Sequence, residues 1–218
     1  MPRSWGSASA LVPRRLLPMQ PRSDGTVPQI QHGSVFLRPA EKDDVELFVR
    51  WLNDWRTGRT LGMRAPLSKG MEEKWVERLI EGQGKEGYHF VICLLADDRP
   101  VGTIGLKDLN LIDGSAGLGI SVGAEEDRGH GYGTDSIHAL LRFAFDELRL
   151  VRVWLDVYDM NMGAQRVYER VGFVHEGTLR RAAFREGVHR DVHRMGVLAD
   201  EWRTLAASSE SDPAVARQ

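Results

Sequence analysis

Between Gly117 and Leu148 the sequence changes its period, and the change is made through a glycine-rich turn. Gly117-Leu118-Gly119-Ile120-Ser121-Val122 reads as a strand. Thr134 to Leu148 reads as a helix, with Ile137, Leu140, Leu141, Ala144 and Leu148 spaced at three and four residues along one face. The junction is Arg128-Gly129-His130-Gly131-Tyr132-Gly133-Thr134. The first turn of a helix has backbone N–H groups without intrahelical partners, and the helix dipole favours negative charge in front of them. Glycine lets the backbone come close to a ligand and take dihedrals that other residues resist. The segment reads as a phosphate cradle. A plain tight turn would not account for glycines at alternate positions before a helix that lacks a side-chain cap.

The elements around this junction limit the fold further. Val35 to Pro39 is a short strand stopped by proline. A helix opened by Asp43 and Asp44 runs to about Asn53, and a second spans Met71 to about Ile80. Asp54 to Lys69 is polar and poorly periodic, a loop with a helical turn. Tyr88–Leu95, Pro100–Lys107 and Ser115–Val122 are strands joined by short polar turns, an antiparallel meander. After the cradle helix, Val151, Val153, Leu155 and Val157 alternate with polar or amphipathic residues along a further strand. Asn161 opens a helix that Gly172 ends. Phe173 to about Arg181 and Val188 to Leu198 are two strands around Glu186-Gly187. The order β-α-α-β-β-β-α-β-α-β-β belongs to the α+β class: a mixed, mostly antiparallel sheet with helices on both faces.

At 218 residues the chain is long enough for one domain. The expected division is a disordered extension over residues 1–33, a domain over 34–203 and a flexible tail over 204–218. The arginine-rich, acid-poor start also fits a transit peptide, or a start at Met19. The formal charge of −2 gives no general attraction to nucleic acid or to an anionic membrane, and no apolar run is long enough to span a bilayer. A single cysteine, Cys93 in an apolar run, fits a reducing compartment and a cytoplasmic protein.

Two motifs on the right elements give the chain its resemblance. Arg128-Gly129-His130-Gly131-Tyr132-Gly133 follows the cofactor signature of the GCN5-related N-acetyltransferase (GNAT) family, and one β-α unit later Asn161, Ala164, Tyr168 and Gly172-Phe173 follow its second motif. The resemblance spans about residues 34 to 202. Gly172-Phe173, Glu176-Gly177, Arg180, Gly187, Asp191 and Met195, with Arg38-Pro39 and Trp51 to Asp54, resemble the branch that holds the ribosomal-protein N-terminal acetyltransferases.

The resemblance implies acetyl-CoA as co-substrate and direct attack by a primary amine, with no metal. The cradle, Arg128 to Thr134, would hold the pyrophosphate. The strand ending in Ile120 and Val122 would splay from the next and pair its backbone with the pantetheine arm. Asn161 is an N-cap by its position and, by resemblance, a cofactor contact. Tyr168 would be the acid that serves the leaving thiolate, since a phenol with a pKa of about 10 is protonated at neutral pH.

The acceptor is expected to be a protein N-terminal amine. The alternatives are a small amine (polyamine, amino acid or aminoglycoside) and a non-catalytic acetyl-CoA sensor, and the oligomeric state is expected to be monomer or homodimer. The first two helices and the 54–69 segment would form the acceptor site. Arg56, Arg59, Arg64 and Lys69 argue mildly against a polycationic acceptor there. No base is assigned. The strand before the cradle has no carboxylate, Glu125, Glu126 and Asp127 read as a solvated turn, and His89, His138, His175, His189 and His193 are single candidates. His189 and His193 lack a clear third metal ligand.

Overall fold

The computed structural model describes residues 19–211. Strands β1 (Gln31–His32), β2 (Val35–Pro39), β3 (Tyr88–Leu94), β4 (Pro100–Asn110), β5 (Ser115–Val122), β6 (Arg152–Tyr158), β7 (Val174–Arg185) and β8 (Val188–Leu198) form one sheet. Their spatial order is β1-β2-β3-β4-β5-β6-β8-β7. β5 and β6 pair in parallel and every other neighbouring pair is antiparallel. The helices are α1 (Val45–Asn53), α2 (Trp55–Leu61), α3 (Lys69–Gly82), α4 (Tyr132–Arg142), α5 (Met162–Val171) and α6 (Ala199–Ser211). Among the described residues no helix is long and apolar enough to cross a membrane.

Helices cover both faces because the central strands are apolar on both. Along β3, Phe90, Ile92 and Leu94 enter the larger core with Ile137, Leu140 and Leu141 of α4, Tyr168 and Val171 of α5, and Trp202 of α6. Val91 and Cys93, pointing the other way, pack with Val45, Phe48 and Trp51 of α1 and Val76 of α3. Burial pushes the Cys93 thiol up from its ordinary pKa, which keeps it protonated and structural.

Four parts of the sequence reading need correction. Part of the supposed disordered extension is ordered: Gln31 and His32 pair with Phe36 and Val35, and Arg22 Nε bonds Asp98 at 2.9 Å. Residues 1–18, with the transit-peptide reading, lie outside the described residues. The 54–69 segment contains a helix, α2, opened by Asp54, whose carboxylate accepts from the N–H groups of Arg56 and Thr57. The cradle helix continues beyond Arg142 as a π-helical turn, Phe143–Glu147. Finally, α6 carries the chain as helix through Ser211, past the expected end at residue 203, with Trp202 buried as its anchor.

Candidate active site

The cradle is built as its glycines require. Gly129 and Gly131 have φ of 83° and 86°, and a Cβ added to either would meet nothing within 4 Å. Their absent side chains therefore leave open space outside the turn, while left-handed dihedrals make glycine necessary for the turn itself. Gly131 is the N-cap of α4 without a side-chain cap, so the first N–H groups of that helix stay available to an anion. Gly131→Val is expected to cost about 1–3 kcal/mol of stability through strain at positive φ. It should also weaken acetyl-CoA binding at least tenfold, as read by urea unfolding and calorimetry.

The side chains of the cradle are engaged on its flanks. Arg128 Nη2 donates to Thr57 Oγ1 of α2 at 2.7 Å, and that hydroxyl donates to the Gly123 carbonyl, also at 2.7 Å. His130 Nε2 lies 3.0 Å from the Glu126 carbonyl and its ring stacks on Tyr132. Ile120 and Val122 run beneath Gly133, with Val122 Cγ2 at 3.7 Å from the position of a Gly133 Cβ. Thr134 is half-buried in the first turn of α4. The acidic turn before the cradle is not simply solvated: Asp127 is buried and receives both Arg99 guanidinium nitrogens, at 3.1 and 2.8 Å.

The parallel pairing of β5 and β6 covers only Ser115 to Gly117 against Arg152 to Trp154. Beyond it, β5 pairs with β4 alone through Val122, and β6 pairs with β8 alone. The edge from Leu118 to Val122 thus turns unpaired backbone groups toward a gap within the sheet, where an extended chain with amides can add as a strand does. This edge and the cradle at its end would suit a pyrophosphate joined to an amide-bearing arm.

Asn161 caps α5, its Oδ1 accepting from Ala164 N–H at 3.2 Å. Tyr168 lies about two turns on, in the core on the α4–α5 face. It is only 9% exposed, and burial pushes its phenol up to about 12.

On the opposite face of the sheet is a cavity of about 470 Å³. Its floor is His89 and Phe90 of β3, Thr103 to Gly105 of β4 and Gly119 to Ser121 of β5. Its roof is Phe48, Trp51 and Leu52 of α1, Leu61, Met63 and Leu67, and Met71, Glu72, Trp75 and Leu79 of α3. Glu72 is the one acid in this wall among the described residues; it is 3% exposed, and its Oε1 is buried without a hydrogen-bond partner. Burial raises its carboxyl above the ordinary glutamate range. The sequence reading missed Glu72. The only signal was an acid on the face of the helix that also carries Trp75, Val76 and Leu79.

A profile of the acetyltransferase (GNAT) domain matches residues 34–174. The chain belongs to the GNAT acetyltransferase family. The enzyme uses acetyl-CoA, and its cradle and unpaired edge suit that co-substrate. It is 31% identical over 166 residues to the SPbeta prophage-derived uncharacterized N-acetyltransferase YokL of Bacillus subtilis, covering 76% of this chain and 90% of that one. It is 34% identical over 109 residues to YdaF of the same organism, provisionally named a ribosomal N-acetyltransferase, covering 50% and 59%. Among solved structures, the spermidine N-acetyltransferase of Vibrio cholerae in complex with CoA and spermine superposes with a TM-score of 0.71. There the identity is 27%, covering 78% of this acetyltransferase and 98% of that chain.

The remaining sequence candidates separate in space. Of the five histidines weighed as bases, only His89 lines the cavity. His138 packs between His32 and Trp202. His175 and His193 share Thr178, and His189 packs on Phe184. Among the described residues no group of three His, Cys, Asp or Glu could hold a metal ion. The cations counted against a polyamine mostly answer to other acids: Arg56 pairs with Glu125, Arg59 with Glu186 and Lys69 with Glu46. None of these three lines the cavity, so they place no positive charge in its wall.

Proposed function

We propose that this acetyltransferase moves an acetyl group from acetyl-CoA to one amine of a small aliphatic di- or polyamine. The observation that carries this reading is a largely apolar cavity with a single buried carboxylate in its roof, set against the unpaired edge of β5. The volume is in the range of small-molecule sites. One amine would lie at the Gly119–Ser121 edge, where the thioester is expected. The methylene body would pack on Phe48, Trp51 and Trp75, and the far ammonium would meet Glu72 in a charge-assisted hydrogen bond. Likeness to spermidine N-acetyltransferases supports the same class. Exposed Arg78 and Lys107 on the cavity rim disfavour longer polycations, whose additional charge would emerge beside them.

A second reading, acetylation of protein N-terminal amines, is favoured by the likeness to YdaF and by the hairpin residues from Gly172 to Met195. Thiol release measured with putrescine, spermidine, spermine, benzylamine and peptides with free N-terminal serine or alanine separates the two. The proposed order is spermidine and putrescine above spermine, with peptides slow. Turnover of peptides alone would sink the small-amine reading.

A further inference from the structure

We propose that His89 is the proton acceptor for the incoming amine. The assignment rests on the cavity being the acceptor site. In the register of the sheet, His89 of β3 stands opposite Gly105 of β4, and Gly105 opposite Gly119 of β5. Directly paired residues share a face, so these three form one row across the cavity floor. Two of the three are glycines. The imidazole needs the first gap: its Nδ1 lies 2.8 Å from where a Gly105 Cβ would stand, so only glycine at that position leaves the ring its place on the row. The second gap is empty, since nothing lies within 4 Å of a Cβ on Gly119. From β3 to β5 is two strand spacings, ~10 Å, and the span between the ring and the unpaired edge is bare glycine backbone. That is room for an amine nitrogen, or for an amine and one bridging water.

The state of the ring fits the task. Its nitrogens have no hydrogen-bond partner among the described residues, and its packing contact is the edge of Trp75. Burial lowers its pKa from the ordinary value, so the ring is neutral at pH 7 and carries a free lone pair. The charged groups sharing the cavity with it are Glu72 and Arg78 from α3 and Lys107 from β4.

The acceptor arrives as an ammonium and gives one proton to His89, which passes it to solvent. The neutral nitrogen attacks the thioester carbonyl carbon, forming the C–N bond, and the C–S bond breaks. The hydroxyl of Tyr168 delivers one proton to the departing sulfur, and the second nitrogen proton passes to the phenol oxygen as the amide forms, which restores Tyr168. The sum is amide, free thiol and one proton released.

The test uses full-length protein with His89→Ala and His89→Gln, assayed with spermidine and in parallel with a peptide bearing a free N-terminal serine. Both variants should lose about 10²-fold or more in kcat at pH 7. Acetyl-CoA affinity by calorimetry and the melting temperature should stay unchanged. Wild type should lose kcat/KM as pH falls, because protonation removes the lone pair. In the variants that acid limb should shrink to the slope set by the amine itself. Free imidazole should restore part of the rate to His89→Ala, whose cavity it can enter, and none to His89→Gln. In the unloaded wild type, the His89 ring signal should titrate below the ordinary histidine range and move on adding spermidine. Retention of kcat within about threefold with an unchanged acid limb overturns the assignment, as does a rate loss matched by equal losses in acetyl-CoA affinity or melting temperature. If the peptide alone is turned over, the small-amine reading falls and His89 is judged on the peptide. If neither probe is turned over while acetyl-CoA binds, both fall.

Discussion

Tyr168→Phe is expected to lower kcat by about 10²–10³-fold while leaving acetyl-CoA affinity and melting temperature close to wild type. The change removes one oxygen from a side chain that is 9% exposed and already held in the core by Phe173 and its neighbours. Its hydroxyl makes no hydrogen bond within the described residues, so no buried partner is orphaned by its loss. The phenol, pushed up to about 12, is a weaker acid than a thiol of about 8.5. It therefore does not protonate the leaving sulfur outright from its resting state. In the role proposed for it, it would stabilise the growing negative charge by hydrogen bonding and hand over its proton only as the amide nitrogen returns one. With its pKa raised, the hydroxyl stays protonated across the working range and ionises only as pH rises through about 12. Tyr168 should then add no alkaline limb to the profile near neutrality. Stopped-flow thiol release and calorimetry check the split, and equal losses in rate and cofactor affinity would remove Tyr168 from the chemistry.

Glu72→Gln should act on the acceptor and, in the opposite sense, on the fold. A hydrogen bond to a charged group is worth roughly 1.5–3 kcal/mol, so KM for spermidine should rise about 10- to 100-fold. A monoamine such as benzylamine, with no far ammonium, should be nearly indifferent. The carboxylate is buried with an unpartnered oxygen, so the free enzyme is expected to gain about 1 kcal/mol, or a melting temperature higher by about 2–4 °C. The sign follows from the raised pKa. Glu72 is protonated in both states below its unfolded value, and its burial costs stability increasingly as pH rises from that value toward the raised folded one. The advantage of the variant should therefore vanish below the ordinary glutamate pKa and grow as pH rises above it. A variant with lower stability at pH 7 and unchanged KM would show Glu72 to be structural.

The parts of this molecule that sequence made legible are those specified by local chemistry. Alternation in β3 and β6 predicts strands because period two is visible in a single segment. The cradle and α5 are readable because glycine at positive φ, Asn161 as N-cap and Gly172 as C-cap act within a few residues. What was hidden depends on partners far along the chain. The β1 pair forms because Gln31 finds Phe36 across a turn held by Asp135, whose carboxylate accepts from Ser34 N–H at 2.9 Å. α6 holds because Trp202 enters a core assembled from α4 and its π-helical extension. Glu72 carries no mark in sequence that separates it from Glu73, which is exposed; only the position of α3 over the sheet buries one of the two. His89 was one histidine among several until the register placed two glycines beside it.

The Thr57 hydroxyl has a consequence for the order of events. It joins the Gly123 carbonyl at the end of β5 to the guanidinium of Arg128, and it belongs to the helix that follows the roof residues of α1. An anion that draws Arg128 toward itself competes with Thr57 for the same donor, so the seating of α2 depends on whether the cradle is loaded. Such a shift of α2 would link binding at one side of the sheet thermodynamically to binding at the other. Whatever factor acetyl-CoA applies to the affinity for the amine, the amine must return to acetyl-CoA. Thr57→Val would uncouple the two sites, leaving each ligand to bind as though the other were absent.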